Sequence, residues 1–384
     1  MIPPRLPLRG CAAPQGGAIR GRPVAANLIF SRRRFLALAL GVAVAPVRAE
    51  VTYPDVEPGT TLAFPHDEGA HPAFRSEWWY VTGWLRDSQG RDCGFQVTFF
   101  RNRPGVTEAS TSRFAPKQLL FAHAAIADPS VKRLRIDQRA AREGFGLAYA
   151  SAGRTNVRID DWSLVQDADR FVAKIKSRDF ALDLSLVATA APLLEGDRGI
   201  SRKGPNPVDA SYYYSRPQLI VTGTLTIDHD ARQVTGVAWL DHEWSSRYLP
   251  KGAVGWDWTG VNFDDGSALM AFRIRDASGQ ALWAGGTWRG AHGATRTLAP
   301  DDIAFTPLAH WRSPRTGIDY PVSFRLRAGD SDVTLAPLFP DQELDARIGV
   351  GTVYWEGAVR AMVGDRPAGR GYLELTGYGR PLRI

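Results

Sequence analysis

From Glu77 onward the chain is written in short apolar runs in which hydrophobic and polar positions alternate with a spacing of two. The clearest are "EWWYVTGWLRDSQGRDCGFQVTFFRN", "QLIVTGTLTIDHDARQVTGVAWLDHEW", "WDWTGVNFDDGSALMAFRIRDASGQALWAGGTW" and "VGTVYWEGAVRAM". Successive side chains of a strand leave opposite faces, so this alternation in Val, Ile, Phe, Tyr, Trp and Thr predicts half-buried strands. Asp87-Ser-Gln-Gly90, Asp264-Asp-Gly266 and Asp276-Ala-Ser-Gly279 sit between such runs and have the composition of hairpin connections. Almost nothing has helical spacing. The pattern predicts an all-β protein of antiparallel meanders.

Such sheets remove their open edges by closing into barrels or pairing as sandwiches. Consecutive hairpins of similar length and inward runs of large aromatics favour barrels enclosing a cavity. Residues 50 to 384 exceed an ordinary single β domain, and the expected division is 1–49, 50–236 and 237–384. "SEWWYVTGWL" and "GWDWTGVNF" match loosely, as two related barrels in tandem would. The stretch from Ala191 to Pro217, rich in Gly and Pro, reads as a long excursion serving as lid or domain junction.

Residues 1–49 change the charge reading. "SRRRFLALALGVAVAPVRAE" joins paired arginines to an apolar run and a small-residue exit at Ala49, the pattern of a twin-arginine export signal. A periplasmic or secreted protein is expected. That segment holds eight bases and no acid, so 39 basic residues remain against 40 acidic ones, a net charge near −1. With no Lys/Arg block and no phosphate-binding loop, the sequence offers nothing to a nucleic acid. Cys93 is the one cysteine beyond the leader, so no intramolecular disulfide is expected. The histidines lack the spacing of common metal sites, and His66 and His71 in "FPHDEGAHP" read as loop; no metal and no cofactor are expected.

Chemistry concentrates in "VAWLDHEWSSRYLPKGAVGWDWTG". Trp239 to Trp258 holds four Trp, His242 and the carboxylates Asp241, Glu243 and Asp257, where even spreading would put fewer than one Trp. Alternation places Ala238, Leu240, His242 and Trp244 on one face, and Val237, Trp239, Asp241 and Glu243 on the other. By the same rule Trp256 and Trp258 share a face opposite Asp257. Singly, each has an ordinary explanation: a core histidine, barrel packing, or an ion pair with Arg247. Together they suggest a water-poor pocket in which pKa values shift and a cation is stabilised.

A second cluster, "RSEWWY", offers Glu77 as acid–base group, or as a barrel cap paired with Arg75, and Trp78, Trp79 and Tyr80 as cavity lining or core. Tyr213 in "SYYYSRPQL" is a candidate gate, and His123 reads as structural. Ser245 and Ser246 follow the "DHEW" run, but the chain has no Gly-x-Ser-x-Gly elbow, so serine hydrolysis has little support.

The segments "EWWYVTGWL", "YYYSRPQL", "VAWLDHEWSS", "YWEGAVR" and "GRGYLELTGY", in this order from about Phe64 to Tyr378, resemble the hydroxyneurosporene synthase (carotenoid 1,2-hydratase) superfamily and its secreted, two-domain AttH-like members. The resemblance implies two lipocalin-like barrels in tandem, an apolar ligand cavity and, in carotenoid-acting members, cofactor-free addition of water to a terminal isoprenoid double bond. The His and Trp of the hydratase motif fall on His242 and Trp244. In place of its Tyr-x-Asp, this chain offers Asp257, Asp264 and Asp265. The expected chemistry has Asp257 or Asp241, held protonated, giving a proton to the alkene. Trp244, Trp256 or Trp258 would face the cation and His242 would handle the water, with Trp78, Trp79, Tyr80, Tyr213 and Trp239 completing the binding surface. The alternative is a noncatalytic monomeric carrier of a lipid or isoprenoid, serving a membrane exporter, with the "DHEW" segment as a structural latch.

Overall fold

The computed structural model describes residues 51–347 and 351–382. The expected export signal, 1–49, lies outside them. Strands dominate the described chain, and two three-residue 3-10 turns, His66–Glu68 and Pro300–Asp302, are its only helical elements.

The strands form two antiparallel sheets. In spatial order the first, thirteen-stranded sheet runs Arg133–Arg142, Leu119–Asp128, Asp92–Asn102, Ser76–Asp87, Asp230–Arg247, Ala210–Ile227, Phe180–Val187, Arg170–Lys176, Trp162–Asp167, Asn156–Ile159 and Ala148–Ala150, with two short strands off this path. Its ends approach each other: the Arg139 guanidinium lies 4.6 Å from the Trp162 ring centroid and donates to the Lys176 carbonyl. The sheet is a nearly closed barrel. The second, ten-stranded sheet runs Thr295–Leu298, Ala281–Arg289, Ala268–Asp276, Ala253–Phe263, Arg366–Leu375, Thr352–Val363, Ser331–Pro337, Asp319–Ala328 and Ile303–Arg312, with Glu343–Ala346 paired to Thr352–Val363. It curls too, Arg273 reaching the Phe305 carbonyl on the far-end strand.

All three expected hairpins are present, and Gly90, Gly266 and Gly279 supply the positive φ their turns require (77°, 88° and 84°). The change of sheet falls between Arg247 and Ala253, downstream of the expected 236/237 junction. Asp230–Arg247 pairs with Ala210–Ile227 throughout and with Ser76–Asp87 over most of its length, so a cut at 236 would divide the centre of the first sheet. The excursion from Ala191 to Pro217 is not a free loop either. Leu193–Leu194 and Ile200–Arg202 fold back onto the strand that begins at Ala210. That strand accommodates Pro217 at a register shift between Arg216 and Leu219, where no ladder N–H is demanded.

Both barrel interiors are packed with side chains. Trp79, Phe95, Phe99, Trp162 and Leu240 are among those filling the first, and Phe324, Leu335, Trp355 and Leu373 among those filling the second. The cavity expected inside a barrel is therefore found elsewhere. The outward faces of the two sheets pack on each other through Trp84, Trp239, Met270, Ala358 and Tyr372. Gly94 permits the closest approach, since a Cβ there would stand 2.6 Å from the Ala358 Cβ. Cys93 is buried and unpaired, its thiol pushed up to about 12 by burial.

Candidate functional site

Ser76–Asp87 and Asp230–Arg247 lie side by side, with Glu77 opposite Trp244, Trp78 opposite Glu243, Trp79 opposite His242 and Tyr80 opposite Asp241. Alternation sends Glu77, Trp79, His242 and Trp244 into the first barrel. Trp78, Tyr80, Asp241 and Glu243 point towards the second sheet. One pair of strands thus furnishes two compartments with different chemistry.

The inner compartment is a closed charge network. Glu77, fully buried, accepts from Arg101 Nε (2.7 Å) and the His71 backbone N–H (2.9 Å), and lies 2.8 Å from His71 Nδ1 and 2.9 Å from His242 Nε2. Burial alone would raise the Glu77 carboxyl, but the Arg101 charge and the bonds to His242 and His71 hold it well below the usual range. Burial pushes His242 down despite Glu77, so its imidazole is neutral. His71 is raised: bonds to Asp67 and Glu77 outweigh burial. The rings are clamped, His242 stacked on Trp79 (4.7 Å) and His71 on Trp244 (3.8 Å), with Tyr214 Oη 3.2 Å from His242 Nδ1. Ligand atoms of His71, Glu77 and His242 lie within 4.8 Å of one another, a spacing a metal ion could use. The donor set fits poorly, because the Arg101 guanidinium occupies the carboxylate and both His71 ring nitrogens already face carboxylates.

The outer compartment is a cavity of about 590 Å³ between the sheets. Trp78, Tyr80, Phe100, Phe121, Tyr213, Tyr248, Trp256, Trp258, Phe272 and Tyr354 supply its aromatic walls, and Arg75, Asn102, Arg103, Pro104, Arg347 and Thr352 belong to its more exposed rim. Trp78 stacks on Tyr248 (4.4 Å) and lies 6.4 Å from Trp256, while Trp258 donates to Tyr213 Oη (3.0 Å).

Four carboxyl groups face this wall: Asp241, Glu243, Glu356 and Glu374. Glu356 and Glu374 are direct cross-strand partners. Glu356 is 2% exposed and neither of its oxygens has a hydrogen-bond partner, although Tyr80 and Tyr354 stand beside it. Burial, reinforced by the charge of Glu374, raises the Glu356 carboxyl well above its usual range. Glu374 is pushed up to about 7 by burial and the charges of Asp241 and Glu243, against the bond it accepts from Trp256 Nε1 (3.0 Å). Asp241 rises to about 7, burial outweighing its bonds from Ser215 Oγ (2.6 Å) and Trp239 Nε1 (2.6 Å). Behind it Ser215 Oγ also lies 2.7 Å from Glu195, which burial lifts to about 8. A hydroxyl has one hydrogen to donate, so Ser215 can donate to only one of the two carboxyls and bonds the other only if that one is protonated. Glu243 differs, being paired with Lys203 (2.8 Å).

The AttH-like family model matches residues 55–378. The chain belongs to the AttH-like family. An AttH candidate of known structure from Nitrosomonas europaea is 48% identical, over 85% of this chain and 99% of its own, with a TM-score of 0.80. Kievitone hydratase from Nectria haematococca, 15% identical, covers 86% of this chain and 97% of its own with a TM-score of 0.64, a likeness of fold. The AttH-like chain is thus two lipocalin-like antiparallel barrels in tandem, as expected. Among curated proteins none is detectably similar in sequence.

The residues singled out in the AttH-like sequence divide among three places. His242, Trp244 and Trp79 are inside the first barrel, away from the cavity. Trp78, Tyr80, Tyr213, Trp256, Trp258 and Asp241 line the cavity, and Trp239 packs behind it as donor to Asp241. Asp257 is in neither place. It faces into the second barrel, where Arg273 (2.6 Å), Arg275 (2.9 Å) and the Tyr378 hydroxyl (3.0 Å) occupy its oxygens, so it is not a proton donor to the cavity. Glu77 pairs with Arg101 rather than Arg75, and Arg247 contacts Asp55 rather than Asp241 or Glu243. His123 is an intersheet tie, its Nδ1 2.9 Å from Tyr354 Oη and its pKa lowered by burial to about 4. Glu356, Glu374, Glu195 and Lys203 were not singled out. The legible signal was a lone carboxylate on the aromatic face of "VYWEGAV" and another in "GYLELTGY".

These carboxyls give stability a predictable pH dependence. A folded carboxyl with a raised pKa keeps a proton that the unfolded chain has released above pH about 4.5, so stability falls as pH rises towards 7–8. The depressed Glu77 acts oppositely, its contribution disappearing in acid. Urea midpoints are expected to be higher at pH 5.5 than at pH 8.5, and Glu356→Gln should flatten that decline.

Proposed function

We propose that the intersheet cavity is the active site of a cofactor-free hydratase acting on the double bond of an apolar, isoprenoid-type alkene. The carrying observation is Glu356: a buried carboxyl, unpartnered at both oxygens, facing an aromatic cavity with a second carboxyl directly opposite. A carboxylic acid kept neutral by its surroundings is the group that can protonate an alkene near neutral pH. Its proton forms the new C–H bond and leaves a tertiary cation between Trp78, Trp256 and Trp258, each indole contributing on the order of 2 kcal/mol when desolvated. Water adds to the cation and gives a proton to the Glu374 carboxylate. Exchange between the two carboxyls then restores the acid, so the balance is alkene plus water giving a tertiary alcohol. The fold shared with kievitone hydratase supports this reading.

This moves the acid from Asp257 or Asp241 to Glu356 and makes His242 and Trp244 supports for the wall that carries Tyr80 and Asp241. The reading also takes residues 1–49 as an export signal, so that the substrate is met outside the cytoplasm. Incubation of the protein and its copurifying apolar ligand in ¹⁸O-labelled water tests it by mass spectrometry. Gain of one labelled water is expected, whereas a ligand retained without change would make the protein a carrier.

A further inference from the structure

The described residues expose one aromatic cluster, at the tip of the loop 103–118. Phe114 is 68% exposed and Phe145 49%, the two rings stack at 5.3 Å, and Val106 and Leu147 on the same two loops are 67% and 58% exposed. The cluster is built. Arg142 donates to the Phe114 carbonyl (2.7 Å) and its guanidinium lies 5.0 and 4.7 Å from the two ring centroids, while Arg113 lies 5.8 Å from that of Phe145. Thr107 donates to the Pro116 carbonyl, closing the loop on itself.

Two observations indicate what covers this patch. Its charge is basic, from Arg113, Lys117 and Arg142, with Glu143 as the neighbouring acid and Glu108 engaged by Arg103. Its position is the second: the loop starts at Asn102, Arg103 and Pro104 and ends at Leu119, all of which line the cavity. Aromatic rings with arginines lying along them are suited to the bilayer interface, where the rings enter the acyl boundary and the cations remain among phosphates. No helix of the described residues is long and apolar enough to cross a membrane.

We infer that the 103–118 and 143–147 loops dock on an anionic phospholipid surface and hold the cavity rim against it, giving apolar molecules a path that avoids water. This inference needs only that the cavity takes an apolar molecule, and it stands whether or not that molecule is hydrated. Residues 50–384 form one compact unit suited to the test. The measurement is cosedimentation with phosphatidylcholine vesicles containing about one third phosphatidylglycerol. Binding is expected, with a loss of about tenfold or more in Phe114→Ser/Phe145→Ser, a smaller loss in Arg113→Gln/Arg142→Gln, and weakening by salt. Both variants alter exposed or half-exposed side chains, and an unchanged thermal midpoint would confirm folding. The inference is overturned if wild type does not sediment with the vesicles, or if the phenylalanine variant sediments equally. It is also overturned if wild type is a dimer that this variant converts to monomer, since the patch then belongs to a second copy.

Discussion

Glu356→Gln should lower turnover about 10²–10⁴-fold while the protein still folds and binds its ligand. The substitution preserves shape and removes the acidic proton from a carboxyl whose two oxygens have no hydrogen-bond partner. Glu374→Gln is expected to lower turnover as well, because it removes the acceptor of water's proton, and in addition to shift the pH profile. The Glu374 charge helps to hold the Glu356 proton, so its removal lowers the Glu356 pKa and moves the alkaline limb of the pH–rate profile to lower pH. Single-turnover measurement of both variants between pH 5 and 9 checks the pair. Equal loss with no movement of the limb would show that the two carboxyls do not act together.

Arg101→Met should destabilise the fold by about 3–5 kcal/mol, the usual cost of leaving one member of a buried ion pair unpaired. Arg101 is 1% exposed and binds Glu77, Gln118 and the carbonyls of His71 and Phe74, so its loss uncovers a buried carboxylate and several acceptors. Glu77→Gln in the same chain should recover part of the loss, because a neutral amide needs no counter-charge. Urea denaturation followed by tryptophan fluorescence measures both. A cost below about 1 kcal/mol for Arg101→Met would mean that the network does not hold this end of the barrel together. His242→Ala belongs with this set, and its effect is expected in stability.

The sequence was most informative where the period of two applied. Strand identity, the three hairpins, and the opposite directions of His242 and Asp241 all follow from alternation. It does not report how two faces are later covered. Both faces of Ser76–Leu85 and Ala238–Ser245 are almost wholly buried, one in a barrel and one against the second sheet, so an aromatic inward face does not reveal which side holds the cavity. Asp257 shows the same limit: its environment is set by Arg273 and Arg275 on the neighbouring strand. Glu356 and Glu374 are far from the tryptophan-rich segment in sequence and meet the cavity only through pairing of the last two strands and packing of the second sheet on the first.

The position of the bound ligand tests the central claim most directly, and a crystal structure of the protein with its copurifying apolar molecule would show it. The ligand is expected between the sheets, against Trp78, Trp256 and Trp258, with its reacting carbon within reach of a Glu356 oxygen. A ligand inside the first barrel beside His242, or one whose double bond lies away from Glu356, would contradict the assignment.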